Sequence, residues 1–199
     1  MASTRDGESI LLWAGVVGPP LFVAVFLVLG VIKPRYDATA QFVSEGSIGE
    51  MGWVQILNFI VLGALMLAFA PGLWVSFAGQ VAGRAGAALM AVFGIGLVLS
   101  GVFVTDAPGS RAVATVHGLL HNLAGLAVFG TLMLACFTFA WTLRSQAGGA
   151  TYSLVTGIAI PVGFVGSALA GRWVGIAQRA LIVVGWTWIT VLGLGLLRN

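Results

Sequence analysis

Charge is what this 199-residue chain lacks most: 8% of its residues are charged, against 59% hydrophobic. A soluble domain of this length carries roughly a quarter charged residues, so a water-facing surface cannot be assembled from these side chains. That scarcity excludes a soluble enzyme and a disordered chain. Nine Lys and Arg leave a net charge of +3. They are strewn singly rather than clustered, which excludes an ordinary nucleic-acid binder. Cysteine is nearly absent, and Cys136 alone rules out an intramolecular disulfide framework and a cysteine zinc site. Histidine is almost as scarce. His117 and His121 are the only pair and share one helix stripe, so they cannot sandwich a haem, and a bis-histidine haem is excluded.

What the chain has in abundance is apolar length, with a mean hydropathy of +1.07. Six charge-free stretches of 18 to 33 residues separate its main charges. A helix crosses the hydrocarbon core with about 20 residues, and none of these gaps holds two helices and a turn. The expectation is an all-α polytopic membrane bundle, a single transmembrane domain over residues 1–199. Its six spans should lie near 10–32, 48–70, 86–104, 113–142, 152–170 and 176–197. Residues 1–9 set Arg5 against Asp6 and Glu8, and the apolar run that follows is too long for a signal-peptide core. The first segment is therefore expected to stay as a membrane helix.

Local signals refine the spans. Ser47 with Glu50 has the spacing of a capping box opening the second helix, and Pro71-Gly72 should break that helix at its far end. Pro19-Pro20 and Pro161 should kink the first and fifth helices. Gly96/Ser100 and Gly163/Ser167, drawn from 29 glycines, suit close helix packing. No internal repeat is apparent. Six spans place both termini on one side, with Arg5, Arg84, Arg144 and Arg198. Lys33, Arg35, Arg111, Arg172 and Arg179 fall on the other. Four against five does not orient the chain by itself. The short loops of the terminal side carry only Arg, which leans that side toward the cytoplasm of a cell-membrane protein.

The polar groups gather on the opposite side. The loop KPRYDATAQFVSEGSIGE supplies Tyr36, Asp37, Gln41, Ser44, Glu45 and Glu50, and Asp37 has the chemistry to cap a short helix over 38–45. The third span ends at Thr105-Asp106 with a turn at Pro108-Gly109. The fourth carries His117 and His121, and the sixth opens with Gln178-Arg179. The i,i+4 spacing puts both imidazoles on one helix face. A start near residue 113 would set His121 roughly 12 Å inside the helix, and ionisable groups at such depth are expensive and usually functional. Three readings stay open. One is a divalent metal held by His117 and His121 with Asp106 or Glu45, although Gly118 stands where the HExxH pattern has its glutamate. A second is metal-free acid–base work by Glu45, Asp106, His117 and His121. The third is a structural network with Asp106 paired to Arg111 or Arg179.

This ordered set resembles a family of bacterial and archaeal six-span membrane proteins, the domain-of-unknown-function family 998. The matching residues are Tyr36-Asp37, Ser44-Glu45-Gly46, Asp106, His117, His121 and Gln178-Arg179, and the resemblance runs from about Leu12 to Leu197. One departure is that Glu45 meets Gly46 directly where the family pattern interposes a leucine. The resemblance implies the fold and topology and brings no activity with it.

The residues favour an enzyme acting on a lipophilic substrate, a lipid or isoprenoid, in a one-sided intramembrane pocket. Glu45, Asp106, His117 and His121 would act as catalytic groups. Tyr36, Asp37, Ser44, Asn122, Gln178 and Arg179 would bind substrate, Arg179 taking an anionic headgroup or pyrophosphate. Ser44 suits a capping role better than a nucleophile's, and Asn58 and Asn122 are the main buried amides. A lipid or small-molecule carrier is the second class, against which no polar path crosses to the terminal side. A non-catalytic assembly subunit is the third. The implied partners are the bilayer and a lipophilic small molecule, with no nucleic acid.

Topology is directly checkable. Reporter fusions at Arg84, Arg144 and Arg198 are expected to give one side, and a fusion at Arg111 the other. An Arg111 fusion reporting with the rest would require an odd number of crossings before it and would overturn the six-span order.

Overall fold

Apolar runs with no polar partner in the bilayer must satisfy their own backbone, and the α-helix does so within one segment. The computed structural model describes residues 2–107 and 115–198. Among them are six helices long and apolar enough to cross a membrane, and no strand. They are α1 (Ala2–Ile32), α2 (Gly52–Ser76), α3 (Val81–Val102), α4 (Val116–Thr142), α5 (Ala147–Leu169) and α6 (Val174–Leu197). Short 3-10 turns at Val43–Ser47 and Gly171–Trp173 complete the order. The chain is a multi-pass membrane protein. Each helix packs on the next, and α6 packs back on α1, so the bundle closes as a ring.

Several local expectations are corrected. α2 opens at Gly52 behind Met51, whose backbone is left-handed at φ 60°. Ser47 instead donates to the Ser44 carbonyl at 2.5 Å, closing the 3-10 turn rather than capping α2. Pro71 lies inside α2, which runs on to Ser76. A membrane helix tolerates the lost N–H because its neighbours hold it in place. α1 runs without a break through Pro19 and Pro20, and α5 through Pro161, the positions where kinks are expected. α3 ends at Val102, short of Thr105-Asp106. The Pro108-Gly109 turn, Arg111 and the expected start of the fourth helix at 113 lie outside the described residues. The described α4 opens at Val116, with the Thr115 hydroxyl accepting from Gly118 N–H.

Without a hydrophobic drive between helices, packing rests on close approach of small residues. A Cβ on Gly63 would sit 2.7 Å from the Gly94 carbonyl oxygen, and one on Gly94 would sit 2.9 Å from that of Gly63. The backbones of α2 and α3 therefore touch. Gly96 lies against Val128 and Ala124 of α4, and Gly163 against Leu181 of α6, as their spacing predicts. An aromatic cluster fills the middle. Trp186 of α6 meets Phe93 of α3 at 5.2 Å, Phe22 of α1 at 5.9 Å and Phe129 of α4 at 6.2 Å between ring centroids. Trp13, Trp74, Trp141, Trp53 and Trp173 are exposed near the helix ends, where indoles favour the interface. Arg84, Arg144 and Arg172 stack over Trp74, Trp141 and Trp173.

Gly63→Ala is expected to destabilise the bundle by about 1–3 kcal/mol, because the Gly94 oxygen and Val98 nitrogen it meets are backbone atoms that cannot swing aside. Thermal unfolding in detergent checks this, with Gly166→Ala, which meets nothing within 4 Å, as the control that should melt like wild type.

Candidate functional site

The loop between α1 and α2 is held down by the head of α6. Arg179, 8% exposed, donates through Nη1 to the carbonyls of Ala38 at 2.6 Å, Gln41 at 2.8 Å and its own-helix Gly175 at 3.0 Å. Its Nη2 donates to the Tyr36 hydroxyl at 2.5 Å, which in turn donates to the Phe42 carbonyl at 2.8 Å. Gln178, one residue earlier, accepts through Oε1 from Val43 N–H at 2.8 Å. The loop answers in kind. The Thr39 carbonyl accepts from Gly175 N–H at 2.9 Å, satisfying one of the donors a helix start leaves open. The approach is so close that a Cβ on Gly175 would lie 2.5 Å from the Ala38 and Gln41 oxygens.

The loop's acids serve its shape. Asp37 is exposed and accepts through Oδ1 from the Thr39 N–H at 2.8 Å and hydroxyl at 2.6 Å. Those bonds hold its carboxyl below the usual range. They shape a turn over 38–40, and this turn with the 3-10 turn at Val43–Ser47 stands in place of the one helix expected over 38–45. Glu45 is half-buried, and its Oε2 accepts from Phe42 N–H at 3.1 Å. Burial pushes its carboxyl above the usual range, against the pull of that hydrogen bond and of Arg179. Lys33, buried at the end of α1, donates through Nζ to the carbonyls of Ile48 at 2.9 Å and of Glu50. The sequence marks Lys33 only as a loop charge, because nothing in the local pattern shows which carbonyls fold back over it.

Asp106 works at the start of α4. Its carboxylate accepts from the Thr115 N–H at 2.9 Å and hydroxyl at 2.7 Å. A negative group beside a helix N-terminus is favourable. Gly118 packs so closely under this carboxylate that any Cβ would collide with it, which gives a physical reason for glycine between the two histidines.

The histidines share one face, as the spacing predicts, but not one environment. Both meet Phe103 just beyond α3. The His117 ring is edge-on to the Phe103 ring at 5.5 Å, while His121 Nδ1 lies 2.8 Å from the Phe103 carbonyl and 3.0 Å from that of Ser100. Carbonyls only accept, so Nδ1 carries the proton, and in the neutral imidazole Nε2 is then the acceptor. His117 is exposed in the first turn of α4, whereas His121 is buried at 6% exposure. With α4 opening at Val116, His121 stands roughly 7–8 Å into the helix, shallower than a start at 113 implied. Asn122, expected to be buried, is exposed, because one residue past an inward His turns about 100° away around the helix. Asn58 is buried and donates to the Phe22 carbonyl at 3.1 Å. Among the described residues, no three His, Cys, Asp or Glu side chains are grouped as metal ligands.

Beneath the loop lies a cavity of about 70 Å³ whose lining includes Ser44, Ser100, His121, Gln178 and Trp186, with phenylalanines and aliphatics making up most of the rest. Among the described residues no carboxylate, Lys or Arg lines it. A separate, larger cleft of about 260 Å³ is lined by Lys33, Arg35, Tyr36, Glu45 and Glu50 among others. The polar residues expected as one site thus form three neighbourhoods: the Arg179–Tyr36–Glu45 loop clamp, the Asp106–Thr115 cap and the His121 cavity. Ser100, Phe103 and Trp186 were not legible as members. Two of them act through backbone carbonyls, which leave no side-chain signature, and Trp186 reads as one more core aromatic.

A family model described as "Protein of unknown function (DUF998)" matches residues 16–195. No curated protein and no solved structure matches the chain.

The raised Glu45 carboxyl has a testable sign. A group more easily protonated when folded contributes stability that is present below its unfolded value, about 4.3, and is lost as pH rises through the higher folded value. Glu45→Gln keeps the acceptor for Phe42 and removes the titration. The variant is expected to show a flatter melting temperature than wild type as pH rises from about 4 to about 7. Identical pH profiles would place the dependence elsewhere.

Proposed function

The chain belongs to the DUF998 family of membrane proteins, and from that premise we propose a membrane-embedded enzyme acting on a lipophilic substrate. The reacting end enters the cavity under the first loop, and His121 does the acid–base work there. The observation that carries this reading is the orientation of His121. A buried imidazole whose Nδ1–H is committed to two backbone carbonyls presents Nε2 in a fixed direction, the arrangement a general base requires. Its cavity is apolar apart from a few polar groups, as small-molecule sites are.

The other expected site residues take supporting parts. Tyr36, Asp37, Glu45, Gln178 and Arg179 hold the loop over the cavity, with Ser44 on its lining. Asp106 fixes the start of the helix that carries His121. Arg179 spends both terminal nitrogens on the loop between α1 and α2, so it holds that loop rather than a headgroup. His117 and Asn122 are exposed and do not line the cavity, which leaves them outside the reacting centre. Both termini lie on the face away from the loop, and that face is cytoplasmic.

The two nitrogens of His121 allow a clean test. Asn retains an N–H donor near the Nδ1 position and has nothing at Nε2. His121→Asn is expected to melt near the wild-type temperature while losing conversion of any component of a membrane lipid extract, followed by untargeted lipid mass spectrometry. His121→Ala should also lose about 1–3 kcal/mol of stability by orphaning the two carbonyls. Wild-type turnover in His121→Asn would remove the acid–base role.

A further inference from the structure

The polar groups on the cavity wall specify the kind of ligand end that fits, and the inference rests on the reading of this cavity as the substrate pocket. His121 Nε2 is an acceptor, because Nδ1 is the nitrogen that donates. Trp186 is 2% exposed, and its Nε1–H is buried without a hydrogen-bond partner among the described residues. A buried donor left unpaired costs about 1–3 kcal/mol, so a partner supplied from the cavity that Trp186 lines would be favoured. Gln178 adds a second donor, since its oxygen is taken by Val43 N–H and its NH2 group remains. No side chain with a fixed charge lines the space among the described residues.

We propose that the ligand is a neutral lipophile whose polar end is a hydroxyl group, a long-chain or isoprenoid alcohol, donating to His121 Nε2 and accepting from Trp186 Nε1. A hydroxyl is the small group that does both. A carboxylate or phosphate would face the Nε2 lone pair and lie in an apolar enclosure with no cation among the described residues, where burial of charge is costly. An ammonium would satisfy Nε2 but cannot accept from the indole. The size agrees. About 70 Å³ has room for roughly two water-sized groups, enough for an alcohol head and its first carbon but not for a whole lipid.

The remaining chain has a place to lie. Trp186 also lines an outer groove of about 320 Å³ between α1 and α6, bordered by Pro19, Pro20, Val23, Val183 and Thr190. Trp186 therefore stands on both the head cavity and the chain groove, and the alcohol passes it on its way in from the bilayer.

The probe is a diazirine-bearing long-chain alcohol, applied to the full chain in phosphatidylcholine nanodiscs and mapped by peptide mass spectrometry. Saturable labelling of α1 and α6 is expected, displaced by hexadecanol and not by hexadecanoate or hexadecyl phosphate. Trp186→Phe keeps the ring and removes the donor, and should weaken hexadecanol about threefold to tenfold, the worth of one hydrogen bond. Displacement by the carboxylate or the phosphate as readily as by the alcohol would overturn the hydroxyl assignment while leaving a lipophile pocket. Unchanged hexadecanol affinity in Trp186→Phe, checked to melt like a folded bundle, would overturn it too. Absence of saturable labelling in wild type would remove the pocket reading itself, and the alcohol with it.

Discussion

The arrangement at one end of the bundle depends on the way Arg179 is buried. A guanidinium cannot be deprotonated, and leaving it alone in an apolar surround is costly. The chain solves this by bringing backbone carbonyls to it: those of Ala38 and Gln41 from the loop, and that of Gly175 from its own helix. Once the loop is drawn down, other features follow. Thr39 can accept from the start of α6, Tyr36 can bridge Arg179 to Phe42, and the 3-10 turn carrying Ser44 comes to rest over the cavity. Gly175 is the steric condition for this contact, since a side chain there would strike the same carbonyls.

Helix packing places the cavity beneath that lid. Tight glycine contacts draw α2 to α3 and α3 to α4, while bulky aromatics at the centre hold α1, α3, α4 and α6 around Trp186. Close backbones on one side and large rings on the other leave a small gap below the loop. His121 reaches that gap because α3 ends at Val102, and the carbonyls of Ser100 and Phe103, released by the helix end, accept from its Nδ1–H. Helix termination and imidazole orientation are thus one event. The acids stay out of the apolar space, each satisfied by hydrogen bonds at its own turn, which leaves the cavity neutral.

Much of the architecture was legible in the sequence. Scarce charge spaced at membrane-span intervals determined six helices, and interfacial tryptophans marked their ends. The candidate residues were legible as a group on one side, because ionisable side chains stand out in an apolar sequence. Proline was the misleading signal. Pro71 marks a break in water, whereas here α2 continues through it.

What only the tertiary structure decided was the task of each polar residue. Residue type and spacing marked Arg179 as a headgroup binder and Asp106 as a catalytic acid. Three-dimensional proximity committed the first to loop carbonyls and the second to the start of α4. Spacing alone also made His117 and His121 equals, and the position of the α4 start relative to the end of α3 exposed one and buried the other. The physical reason is common to all three. Side-chain chemistry is written in the sequence, but backbone carbonyls are present at every residue. Which of them are left open to accept a proton depends on where helices end and what packs against those ends.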